Sequence, residues 1–283
     1  MSTTLGAERG LSATPAALLE VNRRLYDHAD DAIWTLAVYE TVHQGRPFAN
    51  IGGRQVLDAA GKKAALGPGK RVLEVGCGAG APAIYLAEQF GCEVFGLDLN
   101  ARQIGRAKEA RAKLAPELAE RLHFEVGDVL AEGARASYDL VFTLDVLMLV
   151  ADVPSALVAM RRALRPGGRL VLAEILAGPE LDEDMRRFAI EEDGMFHLPT
   201  RQDYASWLER AGWSDIEWVD RTDLAEACFA AILEGLEAHR GAIEAEAGPQ
   251  GFEEWARVSR RYREAFGDRR LLYQEIHARS AAN

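Results

Sequence analysis

Two carboxylates bracket a run of three glycines in residues 71–100, RVLEVGCGAGAPAIYLAEQFGCEVFGLDLN. Glu74 stands two positions before Gly76, and Asp98 follows Gly78, Gly80 and a segment of helical spacing. A carboxylate has two acceptor oxygens, so Asp98 at the tip of an extended run can take both hydroxyls of a ribose. Glycines there let the backbone turn with positive φ and admit a ligand where a Cβ would intrude. Gly76, Gly78 and Ala81 satisfy G-x-G-x-x-G/A, so a dinucleotide is one ligand the pattern allows. Glu74 argues against it, because it would set a negative charge beside the pyrophosphate that a helix N-terminus attracts. A ligand with an ammonium and a sulfonium but no phosphate meets no such objection.

The elements that must hold these residues follow from apolar periodicity. Val72, Leu73 and Val75 read as a strand, Pro82 to Ala87 as a helix with proline in its first turn, and the run to Asp98 as a second strand. Ala101 to Leu114 reads as a helix, Leu122 to Val126 as a third strand closed by Gly127-Asp128, and Leu140 to Leu144 as a central parallel strand covered on both faces. Pro154 to Leu164 reads as a helix and Gly168 to Ala173 as a fifth strand. Alternation of strand and helix predicts a doubly wound parallel sheet with its ligand at the carboxyl ends of the strands. Beyond Glu174 the pattern changes: a mixed acidic stretch from 179 to 199, a helix Arg201 to Arg210, a short strand Ile216 to Val219, about forty residues of amphipathic helix from Leu224 to Phe266, and a strand-like Leu271 to His277. Before the glycines, Met1 to Thr14 reads as a tail, Pro15 to Val42 as two helices broken near Asp27 to Asp31, and Gly45 to Gly53 as a loop.

The series Glu74-Val-Gly-Cys-Gly-Ala-Gly80, Gly-Leu-Asp98, Gly127-Asp128, Tyr138 to Asp145, and Leu164-Arg-Pro-Gly-Gly to Glu174 resembles the ordered motifs of class I S-adenosylmethionine-dependent methyltransferases. The resemblance covers residues 70–220 most fully, and at its ends the chain is similar to the sugar-, sterol- and quinone-modifying branch. It implies an α/β, doubly wound, seven-stranded Rossmann-like methyltransferase sheet with a helical lid, whose last strand runs antiparallel between the fifth and sixth. It implies S-adenosylmethionine as cofactor, held by Glu74, Gly76, Gly78, Gly80, Asp98, Leu99, Gln103, Asp128, Val129 and Leu144. In that family the acid matching Asp128 accepts from the adenine amino group, the N–H matching Val129 donates to the ring, and the position of Gln103 reaches back toward the ribose. The domains expected are a helical cover (1–69), a cofactor-binding core (70–177), and a lid with the last two strands (178–283). The loop Phe48-Ala-Asn-Ile-Gly-Gly53 is similar to the family's aromatic-x-Asn-Leu-Gly-Tyr-Trp loop, with Gly53-Arg54 in place of the aromatic pair.

Composition narrows the partners. With 33 basic and 44 acidic residues the net charge is −11, which disfavours a nucleic-acid footprint. The three cysteines show no metal-binding or paired spacing, so neither a zinc site nor a disulfide framework is expected. No run is apolar and long enough for a membrane span, and no signal pattern opens the chain, so a cytoplasmic enzyme with a small-molecule substrate is expected. A homodimer is one assembly compatible with this reading.

An in-line attack on a sulfonium methyl needs positioning and dryness more than acid–base help, and a general base only if the nucleophile is an un-ionised hydroxyl or acidic carbon. Members of the resembled family often carry His-His after the fourth strand, where this chain has Met148-Leu149. Asp145 is the leading functional candidate among the catalytic residues, its task being to orient the cofactor's amino group through its own turn rather than to remove a proton. His43 and His197 are candidate bases. The arginines at 257, 260, 261 and 263 read as a solvated face. A cyclase that binds the cofactor without consuming it, and a non-catalytic binder, stay open.

Overall fold

The computed structural model describes residues 37–39, 41–43, 48–131 and 137–280. The expected tail, most of the first two helices with His28 and Asp30-Asp31, and Gly45 to Pro47 lie outside them.

Seven strands form one sheet in the order β3-β2-β1-β4-β5-β7-β6. Their bounds are β1 Arg71–Val75, β2 Glu93–Asp98, β3 Leu122–Val126, β4 Tyr138–Leu144, β5 Leu164–Ala177, β6 Trp213–Asp220 and β7 Leu271–Ser280. The first five pair in parallel, and β7 runs antiparallel to both β5 and β6. The expected insertion of the last strand is therefore present. Side chains alternate across the sheet, so Leu140, Phe142, Val171, Ala173 and Ile175 join one core while Val141, Leu170 and Leu172 join another. Both faces are apolar because helices cover both, as a parallel sheet requires.

The helices are α1 Gly53–Lys63, α2 Ala81–Phe90, α3 Ala101–Ala112, α4 Pro116–Ala119, α5 Val153–Ala163, α6 Glu183–Arg187, α7 Arg201–Arg210, α8 Thr222–Ala238 and α9 Arg240–Gly267. Helix α1 was not anticipated. It begins on two glycines, and it is stabilised by burying Val56, Leu57 and Ala60 against the sheet core. The amphipathic helical stretch expected over 224–266 is divided into α8 and α9, separated at His239 and packed on one another. A second break falls inside α9 at Gly248 (φ 74°) and Pro249, which cannot donate to the preceding turn. Ala37 and Val38 pack into the core between these helices, so this part of the N-terminal segment joins the lid. Strand β5 outruns its expected end because Ala173–Ala177 finds a partner in Leu271–Glu275 of β7, residues about a hundred positions away.

Candidate functional site

At the end of β1 the chain turns through the glycines under tension from β2. The N–H groups of Gly76 and Cys77 both donate to the Leu97 carbonyl, at 2.8 and 3.0 Å. Gly78 N–H donates to Asp98 Oδ2 and Asn100 N–H to Asp98 Oδ1, each at 2.8 Å. Asp98 is thus oriented through both oxygens, each keeping further acceptor capacity. Burial raises its pKa, with those two N–H groups opposing the rise. Gly76, Gly78 and Gly80 all have positive φ, and Gly80 is the N-cap of α2. A Cβ at Gly76 would lie 2.5 Å from the Val146 side chain, whereas at Gly78 it would meet nothing within 4 Å. Gly76 is a packing constraint; Gly78 borders open space.

Glu74 is buried beside this loop, its Oε2 has no hydrogen-bond partner, and the Ala83 N–H of α2 stabilises its ionised form. Burial, and then Asp98, hold its carboxyl well above the usual range. An unpaired acid facing a cradle at Gly78 fits a cofactor that brings a positive charge and hydroxyls, and does not fit a pyrophosphate. Asn100, unremarked in the sequence reading, caps α3 by accepting from Arg102 and Gln103 N–H, which seats Gln103 in a buried position.

The tips of β2 and β3 expose Leu99, Val126 and Leu130, the only large apolar side chains exposed among the described residues. Asp128 accepts from Leu130 N–H at 2.8 Å, which turns the chain and leaves Val129 buried. The three side chains make an apolar rim of the kind a flat ring system covers.

A second acid, half-buried with its Oδ1 enclosed, lies across the strand boundary. Leu144 is buried, and Asp145 after it sits at φ 57°, a left-handed conformation costly for a residue with a side chain. Three contacts hold it there: its own N–H donates to Ala173 O, its Oδ2 accepts from Ile51 N–H at 2.7 Å, and Glu174 grips the following turn. Glu174 is fully buried and accepts from the N–H groups of Val146, Leu147 and Met148 at 3.2, 2.8 and 3.3 Å. Burial pushes Asp145 up to about 7 and Glu174 up to about 8, the latter also through the charge of Asp145. Both polar atoms of the Asn50 side chain are buried without a partner, whereas the buried Tyr273 hydroxyl pairs with the Asp145 carboxyl and accepts from the Gly52 N–H. Tyr273 and the Cys228 thiol both face Asp145, whose charge raises their pKa values beyond what burial does.

The two candidate histidines occupy different places. His43 packs edge-on to Phe48 and against Gly53; burial, and then Arg54, lower it to about 4. His197 donates to the Leu147 carbonyl and lies edge-on to Trp207, with Nε2 unpartnered, so it braces the turn that Glu174 also grips. The late arginines pair with acids: Arg257 with Glu192 and Glu254, Arg260 with Glu253, and Arg261 with Asp184. Asn50, Glu174 and Tyr273 were missed as site residues. Glu174 stood at the end of a recognised motif and Asn50 in a recognised loop, whereas Tyr273 gave no sequence signal.

Among the described residues no cluster of three or more metal-ligating side chains occurs, and no helix is long and apolar enough to cross a membrane.

Comparison with known proteins bears on this geometry. The profile of a family described as "Methyltransferase domain" matches residues 66–212. Phosphoethanolamine N-methyltransferase 1 of Arabidopsis thaliana is 31% identical over 186 residues, covering 65% of this chain and 37% of that protein. The S-adenosyl-L-methionine-dependent Diels-Alderase iccD of Talaromyces variabilis is 31% identical over 219 residues, 68% of this chain and 73% of that protein. The structure of Haemonchus contortus phosphoethanolamine N-methyltransferase 2, with phosphomonomethylethanolamine and S-adenosylhomocysteine, superposes with a TM-score of 0.80 at 21% identity. It covers 96% of this chain and 61% of that one, a likeness of fold. The chain therefore spans well under half of the plant relative it matches.

Proposed function

Because the chain belongs to the class I methyltransferase-domain family, matched over residues 66–212, we propose that it transfers a methyl group from S-adenosylmethionine to a small, largely apolar acceptor, such as a secondary metabolite. The observation that carries this is the glycine loop, where Glu74 Oε2 lies buried and unpaired beside the open space at Gly78 and the fixed carboxylate of Asp98. In this reading Glu74 takes the cofactor's ammonium and Asp98, with Gln103 near it, the ribose hydroxyls. Asp128 and the Val129 N–H read the adenine edge, and Leu99 and Leu144 flank the ring. When bound, the cofactor supplies a methyl already activated by positive sulfur.

The chain's own task is then to hold a nucleophile in line and keep water out. Residues 1–69 and 178–283 would cover the 70–177 core for that purpose, with the acceptor lying above Asp145. His43 and His197 are secondary candidates for proton handling. We further place the protein in the cytoplasm, acting on a small molecule and not on nucleic acid, with a homodimer as the assembly to test by light scattering.

The likeness to a Diels-Alderase favours one second reading, a cyclisation in the same crevice with the cofactor retained. Calorimetry and turnover separate the possibilities. S-adenosylhomocysteine is expected to bind and NAD not to. A methyl acceptor should release one S-adenosylhomocysteine per product, whereas a cyclase releases none. Stabilisation by NAD alone would overturn the reading, since only a ligand of the native state raises its melting temperature.

A further inference from the structure

Resting on the reading that the acceptor lies above Asp145, we propose that Asn50, Asp145 and Tyr273 form the head site for its reacting atom, and that this atom is a basic nitrogen. Buried polar atoms gather there: Asn50 Oδ1 and Nδ2, which have no partner, and Asp145 Oδ1 and Tyr273 Oη, where the tyrosine hydroxyl pairs with the carboxyl and takes the Gly52 N–H. Ile51, next to Asn50, is tied to Asp145 through its N–H, and a Cβ on Gly52 would lie 3.5 Å from the Tyr273 hydroxyl, so the three segments meet. Buried polar groups are seldom left unpaired, and a ligand that pairs them recovers the cost.

The acids at the ends of β1 and β4 fall into two sets. Glu74 interacts with Asp98 and the Cys77 thiol, on the cofactor side. Asp145 interacts with Glu174 of β5, Tyr273 of β7 and Cys228 of α8, and among the described residues no lysine, arginine or histidine forms an ion pair with it. A carboxylate or phosphate head would meet only acids and neutral groups there. An alcohol could hydrogen-bond but would draw nothing from the negative field. An ammonium gains from the field and offers N–H donors to Asp145 Oδ1, Asn50 Oδ1 and Tyr273 Oη.

The head site also handles one proton. An N–H bond of the ammonium breaks, its proton forms the O–H of Asp145 Oδ1, and the electron pair stays on nitrogen as the lone pair needed for attack. Burial makes Asp145 a better proton acceptor than an exposed carboxylate, since it titrates at about 7.

The test uses the full chain saturated with S-adenosylhomocysteine and three probes on one ring, benzylamine, benzyl alcohol and benzoate, followed by melting temperature. A series from methylammonium to dodecylamine covers acceptor length. Amines are expected to raise the melting temperature, increasingly as pH rises through about 7, and the alcohol and acid are not. Asp145→Asn should erase the shift and Tyr273→Phe should at least halve it, both leaving the affinity for S-adenosylhomocysteine within about twofold, under 0.5 kcal/mol. Equal stabilisation by alcohol or acid, no response to any amine, or an amine shift that survives Asp145→Asn would overturn the proposal. So would a loss of S-adenosylhomocysteine affinity in Asp145→Asn, which would assign that acid to the cofactor. If the wild type does not take up S-adenosylhomocysteine, it is the methyltransferase reading that fails.

Discussion

Glu74 and Asp145 stand at the carboxyl ends of neighbouring parallel strands, each with a carboxyl oxygen enclosed in the protein, yet they are built in opposite ways. The charged and hydrogen-bonding neighbours of Glu74 lie within residues 74–100: Asp98 and the first turn of α2 beside the loop glycines. The surroundings of Asp145 come from residues 50, 51, 174, 228 and 273, on four separate segments. The first site is a local device that any sheet of this kind could carry. The second exists only when the N-terminal loop, β5, β7 and lid helix α8 close around the end of β4. Cofactor binding and acceptor binding should therefore respond to different mutations.

The sharpest break in that comparison is on the local side. Asp98→Ala removes the oxygens that fix Gly78 and Asn100 and would bind the ribose, at about 3 kcal/mol, roughly a hundredfold in affinity for S-adenosylhomocysteine by calorimetry. Gly78→Val should do at least as much, by placing a β-branched side chain at φ 49° in the ligand's path. Unchanged affinity in both would remove the glycine loop as the cofactor site.

Next comes Glu174→Ala, which strands three buried N–H groups and should cost about 3 kcal/mol in urea unfolding. If the two regions are separable, its folded fraction keeps its affinity for S-adenosylhomocysteine. A parallel loss of that affinity would join them into one unit.

A smaller effect concerns pH. Asp145 and Glu174 titrate at about 7 and about 8 in the fold, above 3.8 and 4.5 when unfolded. Between the unfolded and folded values the native state holds protons that the unfolded chain has lost, so their contribution to stability falls as pH rises from about 4 to about 8. Glu174→Gln should flatten that fall relative to wild type, and an unchanged slope would show that Glu174 does not titrate there. Asp193, raised to about 7 by burial, adds to the same trend and serves as the common background.

The smallest effect is expected at His43. A positioned general base contributes roughly 10²–10⁴-fold. A histidine held at about 4 by burial and Arg54 is neutral at pH 7 and a weak base, so His43→Ala should cost less than about tenfold in turnover and spare cofactor affinity. A loss of a hundredfold or more would return the histidine to the chemistry.

Legibility followed the range of the interactions. Leu122 to Val126 and Arg201 to Arg210 have the ends that their patterns imply, because apolar periodicity, Pro199 and the Thr200–Asp203 capping box act within a few residues. The span 224–266 was less legible, since a single non-helical residue at His239 folds one amphipathic run into two packed helices. Helix α1 gave little signal because its stability comes from the core that receives Val56 and Leu57.

By itself the sequence determined the order of strands and helices, the glycine turn and the acids at the strand tips, because those depend on backbone freedom and on residues a few positions apart. Only the tertiary structure decided that Asp145 would sit in a left-handed turn gripped by Glu174, with Tyr273 paired to it and the Asn50 side chain left unpaired. The length of β5 was settled in the same way, by a partner strand a hundred residues away. The physical reason is burial: these groups acquire their raised pKa values and unmet hydrogen bonds from atoms that approach them only when the chain closes, and no local spacing encodes that approach.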